Sequence, residues 1–170
     1  MFVQNALTGF SVRDRIRILT SGRVIHGFDI VKLIALGADV IYSARAMMMA
    51  LGCIQALRCN TNHCPTGVAT QNPFLVAGLV VKDKIVRVER YHRKTVEMVA
   101  HMLGAMELTG PEELRPEHIF RRISLVEISN YAKLYDFLED GALLQEPLPE
   151  QYARAVQEAS AESYRPVTSL

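Results

Sequence analysis

Two short apolar segments set the terms on which this chain can fold. Arg15 to Thr20 (RIRILT) and Asp39 to Tyr42 (DVIY) read as strands, each followed by a small-residue turn and a helical pattern. After the first come Ser21-Gly22 and then Gly27 to Leu36, where Ile30, Val31, Ile34 and Ala35 fall at helical spacing. Asp29 lies near the positive end of that helix and Gly37 closes it. After the second strand a helix starts near Arg45 and runs through Met47, Met48 and Met49 toward Leu51. Strand, helix, strand, helix in this order implies parallel strands joined by right-handed crossovers. Parallel strands are ordinarily covered on both faces. Two of them alone make a sheet short of neighbours.

The rest of the chain is of a different character. Phe2, Val3, Ala6 and Leu7 read as the end of an amphipathic helix stopped by Gly9. Residues 52–75 hold all three cysteines with Pro65, Gly67 and Pro73, and read as an ordered loop. Residues 84–108 carry a helical stripe of Ile85, Val88, Tyr91, Thr95, Val96, Val99, Met102 and Leu103, ended by Thr109-Gly110-Pro111. Short helices are expected over Pro116–Ile123 and Ile128–Leu138, and another over 150–162 before a loose tail. The expected units are therefore 1–75, a helical extension over 76–145, and a short helix with a tail over 146–170.

Charge narrows the function classes. Nineteen Lys+Arg against eighteen Asp+Glu leave a formal charge of +1, without the basic excess of a general nucleic-acid binder. No apolar run approaches the roughly 18 residues of a spanning helix. The first twenty residues carry Arg13, Asp14, Arg15 and Arg17 with no apolar signal core, so neither membrane nor nucleic acid is an expected partner and a cytoplasmic setting is. Three cysteines are an odd number for a disulfide framework.

Those cysteines are the strongest chemical signal. Cys53-x5-Cys59-x4-Cys64, followed by Pro65, sets three soft ligands within twelve residues. On spacing alone they are equally well small buried hydrophobes, because familiar zinc and ferredoxin patterns use C-x2-C. His63 is a poor fourth zinc ligand, since side chains adjacent in sequence rarely reach one ion together. A second signal is Ser21-Gly22-Arg23, where glycine lets backbone amides approach a phosphate. Ser43-Ala44-Arg45 adds amides, a hydroxyl and a cation near a helix start. The plain alternative is an ordinary βα turn with a surface arginine. The methionines read as core filler. His26, His92, His101 and His118 read as surface or satisfied core residues without a Ser, Cys or carboxylate partner. Glu89, Arg90, Arg93, Lys94 and Glu97 read as a solvated helix face.

The stretch from Gly37-Ala38-Asp39 through Ser43-Ala44-Arg45 and on through LGCIQALRCNTNHCPTGVATQNP (51–73) resembles the FMN-binding synthase domain of the glutamate synthase family, notably its stand-alone glutamate synthase-related branch. The resemblance covers roughly residues 1–145. It implies an α/β fold that is the C-terminal part of a (β/α)8 TIM barrel, namely its last two βα units, with a cysteine-rich loop and a helical C-terminal extension. It implies an iron–sulfur cluster, 3Fe–4S, on Cys53, Cys59 and Cys64, and an FMN phosphate held by Ser21, Gly22, Arg23, Ser43, Ala44 and Arg45. Relatives often carry two glycines where this chain has Gly22-Arg23, which puts most of the close approach on Gly22. A complete barrel needs about 250 residues, so six strands are expected to be missing, and the isolated chain is expected to be inactive.

The activity implied is reductive. Ammonia and 2-oxoglutarate condense, and reduced FMN converts the imine to L-glutamate, with electrons reaching the flavin through the cluster from a reductase subunit or ferredoxin. Two other readings stay open: a non-catalytic truncated fragment, or one completed by a chain that supplies the missing strands, and a simple iron–sulfur electron carrier. An exposed edge on the first strand favours pairing with another chain.

Overall fold

A computed structural model describes residues 1–163. Its elements run α1 (Phe2–Gly9), β1 (Leu19–Ser21), α2 (Gly27–Ala35), β2 (Val40–Tyr42), α3 (Arg45–Leu51), α4 (Pro73–Val76), α5 (Val81–Ala105), β3 (Phe120–Arg122), β4 (Ile128–Asn130), α6 (Tyr131–Leu134) and α7 (Glu150–Glu158). Single 3-10 turns occupy Arg13–Arg15, Pro111–Glu113 and Pro116–His118. The expected tail falls largely on residues 164–170, outside the described residues.

The βαβα unit forms in the predicted order, but its first strand is only Leu19–Ser21 where Arg15–Thr20 was expected, with Arg15 in a 3-10 turn. β1 and β2 pair in parallel, Leu19 opposite Val40, Thr20 opposite Ile41 and Ser21 opposite Tyr42. The register is set beside the strands by Asp39. Its carboxylate accepts from the Ile18 N–H at 2.7 Å and from the Arg13 guanidinium at 2.7 Å, with Arg17 at 3.3 Å. Partial burial alone would raise the Asp39 pKa, but the Ile18 amide and then Arg13 outweigh it and hold the carboxyl below its ordinary 3.8.

The apolar stripe of α2 buries Val31 and Ala35, which join Leu103, Leu114, Ile119 and Tyr131 in the core. α5 is the long wall of this structure and packs on both α2 and α3. Its inward stripe is the half-buried Val88, Tyr91, Thr95, Val99 and Met102 with buried Leu103, whereas Ile85 and Val96 face outward. The charged run forms the expected ladder, Arg93 to Glu89 at 2.9 Å and to Glu97 at 3.2 Å, and Lys94 to Glu97 at 2.7 Å.

The second half departs from the helical expectation. Pro116–His118 makes one 3-10 turn, and the chain then becomes strand β3 where a helix over Pro116–Ile123 was predicted. Residues Ile128–Asn130 are strand β4, and only Tyr131–Leu134 is helical within the predicted 128–138 helix. The two strands form an antiparallel hairpin, Phe120 opposite Asn130 and Arg122 opposite Ile128. β-Branched Ile123 and Ile128 flank its turn, and the Ile123 N–H donates to the Glu127 carbonyl at 2.9 Å. Asn130 then caps α6 by accepting from the Lys133 N–H at 3.1 Å. The expected extension is thus a helix, a hairpin and short turns.

The N-terminal helix is tied to distant chain. Buried Asn5 donates through Nδ2 to the Asp136 carbonyl at 2.7 Å and accepts from the Leu138 N–H at 3.5 Å. The Gly9 carbonyl accepts from Leu143 N–H at 2.8 Å, and the Phe2 ring stacks on Tyr152 at 5.1 Å. No helix among the described residues is long and apolar enough to cross a membrane.

Candidate functional site

The C-terminal ends of β1 and β2 open onto a cavity of about 520 Å³. β1 delivers Ser21, Gly22 and Arg23 to its wall, and the turn after β2 delivers Ala44 and Arg45. Five of the six residues expected around a phosphate therefore share one space. The sixth, Ser43, is turned away: its hydroxyl donates to the Val24 carbonyl at 2.8 Å, locking one βα turn onto the other.

Backbone geometry shapes the turn. Gly22 has φ +117°, and a Cβ built there would meet nothing within 4 Å, so the peptide faces open space that an anion could enter. Arg23 follows at φ +51°, a left-handed conformation that costs a non-glycine residue about 1–2 kcal/mol. Arg23 thus keeps a glycine-like backbone. By cradle and charge, these residues fit the phosphate end of a flavin nucleotide.

Cys53 and Cys59 line the same cavity, with Met48, Gln55 and Leu57. Cys64 does not. It is buried, with its sulfur 3.5 Å from the Thr66 hydroxyl. That hydroxyl, then the Ala69 and Thr66 amides, lower the Cys64 thiol to a pKa of about 7. All three thiols are free. Among the described residues no three Cys, His, Asp or Glu side chains are gathered around a common metal position. The donor set fits an iron–sulfur cluster in its chemistry, three unpaired soft ligands on one loop. Two share a wall, and cluster binding would have to draw Cys64 toward them, as metal binding commonly completes its own site.

The loop between them is held open by its own backbone. Gln55, Leu57 and Asn62 all have positive φ, at 57°, 55° and 63°. Asn62 orders the far side, its side-chain oxygen accepting from the Gln71 N–H at 2.6 Å and Thr70 at 3.1 Å. The spacing of the cysteines gave no sign of Asn62 or of Gln55; an Asx-type turn was the only signal available.

Two sequence expectations are corrected. Two of the three methionines are not core filler: Ala46 is the buried residue of α3, Met48 lines the cavity and Met49 is exposed, while Met47 is half-buried. Of the histidines, His26 has a carboxylate partner that the sequence reading did not expect, whereas His118 is satisfied by backbone. His26 Nδ1 lies 3.4 Å from Asp29, and His118 Nδ1 accepts from the Arg115 N–H at 3.0 Å. Both contacts sit at helix or turn starts and are local. His63 is exposed and forms no set with the cysteines among the described residues.

Fold and site together define a mixed α/β chain in which a glycine turn between parallel strands faces a cysteine loop. A family model described as "Conserved region in glutamate synthase" matches residues 1–109, and the chain belongs to the glutamate synthase family. It is 36% identical over 131 residues to the glutamate synthase large subunit-like protein YerD of Bacillus subtilis, covering 75% of this chain and 25% of that protein. It is 37% identical over 113 residues to the archaeal glutamate synthase [NADPH] of Methanocaldococcus jannaschii, covering 66% and 22%. The large chain of glutamate synthase [NADPH] from Azospirillum brasilense matches at 31% over 153 residues, 89% of this chain and 10% of that one. The chain thus spans a quarter or less of these curated relatives.

Proposed function

We propose that this chain is the part of a cytoplasmic glutamate synthase-type oxidoreductase that holds the phosphate end of FMN and an iron–sulfur cluster, and that it forms the last two βα units of a (β/α)8 barrel. What supports the reading is the single cavity shared by Ser21, Gly22, Arg23, Ala44, Arg45, Cys53 and Cys59. In such an enzyme the flavin would supply hydride transfer to the imine of 2-oxoglutarate and ammonia, and the cluster would supply single electrons from a reductase subunit or ferredoxin.

The roles of the residues follow from their chemistry. Gly22 lets backbone amides come close to a phosphate, and the Arg23 and Arg45 guanidiniums balance its charge. Ser43 positions the second turn through Val24. Cys53, Cys59 and Cys64 are the thiolate ligands, and the hydrogen bonds around Cys64 favour its thiolate.

The test is Cys59→Ser. Anaerobic reconstitution should give a three-iron EPR signal in the wild-type chain and none in the variant; an identical signal in both would defeat the ligand assignment.

A second reading, a chain completed by another polypeptide, is favoured by one observation. Leu19, Val40 and Tyr42 form an exposed apolar face on the two-stranded sheet. Strands supplied by another chain or by the rest of the enzyme would cover it. Mixing with a polypeptide bearing the first six βα units should restore flavin binding, and failure of the two to associate would count against it.

A further inference from the structure

α3 ends immediately before the first cysteine, and how it ends fixes where that cysteine sits. Gly52 has φ +110°, its N–H donates to the Met49 carbonyl at 3.0 Å, and the Cys53 N–H donates to the Met48 carbonyl at 3.0 Å. These two bonds make a helix stop of the Schellman kind, which requires the left-handed residue. A Cβ on Gly52 would also lie 3.1 Å from the Lys84 Nζ and 3.7 Å from its Cε. The ammonium of an α5 residue therefore occupies the space in front of the Gly52 peptide.

Lys84 reaches this point through an apolar groove. Its stem runs with Leu51, Leu79, Ile85 and Val88 along a cavity of about 490 Å³. The other ionisable groups on this groove are Glu89 and His92. Glu89 is engaged by Arg93 at 2.9 Å, and Lys84 has no carboxylate partner among the described residues. A half-buried cation without a counter-ion is unfavourable where an apolar side chain would fill the groove. Here it lies beside Gly52, at the end of α3 where the helix dipole favours a cation.

We propose that Lys84 is a positioning residue for Cys53: its ammonium locks the end of α3 and places a fixed positive charge behind the first cysteine. The second half of this assignment rests on the iron–sulfur reading above. A positive charge beside a cluster favours its reduced form and so raises its potential.

The test uses Lys84→Met, which keeps the stem, and Lys84→Arg, which keeps the charge. In the cluster-free chain, amide exchange at Gly52 and Cys53 should be about threefold faster in Lys84→Met and within twofold of wild type in Lys84→Arg, with Leu103 in α5 unchanged. Equal exchange in Lys84→Met and wild type overturns the lock. In the reconstituted chain, an EPR-monitored redox titration should show about threefold less reduced cluster in Lys84→Met at fixed potential, about 30 mV for one electron, with Lys84→Arg near wild type. An unmoved midpoint overturns the charge role. A wild-type chain that takes up no cluster counts against the iron–sulfur reading, while the exchange experiment still decides the lock.

Discussion

Asn5→Asp replaces one atom and puts the largest strain on the tie between α1 and the C-terminal segment. Asn5 is 2% exposed, and its Nδ2 donor stands 2.7 Å from the Asp136 carbonyl oxygen. Aspartate places an acceptor oxygen there, so the short bond is lost and two oxygens face each other. A net hydrogen bond is worth about 1 kcal/mol, and a buried unsatisfied partner costs a further 1–3 kcal/mol. Asp136 itself is an exposed residue, so water relieves part of its carbonyl's loss, while the buried carboxylate keeps its own penalty. The expected destabilisation at pH 7 is about 2–4 kcal/mol. The sign with pH is fixed by the same geometry. Burial against a carbonyl raises the folded-state pKa of the new carboxyl, so the deficit is full above that raised value. It shrinks as pH falls toward the unfolded-state value, because the protonated carboxyl can again donate to Asp136. Urea unfolding of variant and wild type at pH 7 and pH 4.5 reads this as a difference in midpoint at constant m. A deficit under about 0.5 kcal/mol at pH 7, or one that does not shrink at pH 4.5, would refute the reasoning.

Three further outcomes are expected. Asp39→Asn should cost about 1–2 kcal/mol, the lower part of the range for charge-assisted bonds because the side chain is 20% exposed. Since the Asp39 pKa is lowered, wild type should keep this advantage above pH 4 and lose it as pH falls through the depressed value; unfolding curves from pH 3 to 7 that show a constant gap would contradict it. Arg23→Gly should stabilise the chain by about 0.5–1 kcal/mol, because relief of the left-handed backbone exceeds the added chain entropy; a lower urea midpoint would argue against strain at that turn. Fluorescence titration of the isolated chain with FMN should show weak binding, with only the phosphate end held, and a sub-micromolar Kd would show that this chain carries a ring pocket of its own.

The first half of the chain was legible because its signals are local and agree. The period of Val31 and Ala35, the turn at Ser21-Gly22 and the Asp29 and Gly37 punctuation all point to the same βαβα unit. The convergence of that turn with Cys53 and Cys59 was implied by the family resemblance and not by local pattern, because Cys53 follows α3 and not a strand end. The 116–138 region was not. Ile119 and Ile123 fall four apart as on a helix, but cross-strand pairing and the close of Tyr131 N–H on the Ile119 carbonyl decide the outcome, and neither is local. The inward turn of Cys64 was hidden for a related reason. It rests on a contact with the Thr66 hydroxyl that the loop makes only after it has folded. Lys84 drew no reading from the sequence because nothing in its neighbourhood there points to Gly52.

The ties of α1 carry a consequence for biosynthesis. Asn5, Gly9 and Phe2 find their partners at Asp136, Leu143 and Tyr152, more than 130 positions downstream. At roughly 5–20 residues per second, α1 waits on the order of ten seconds after its own synthesis for the segment that buries it. During that interval its apolar side is available to chaperones, and docking it is a late event in folding.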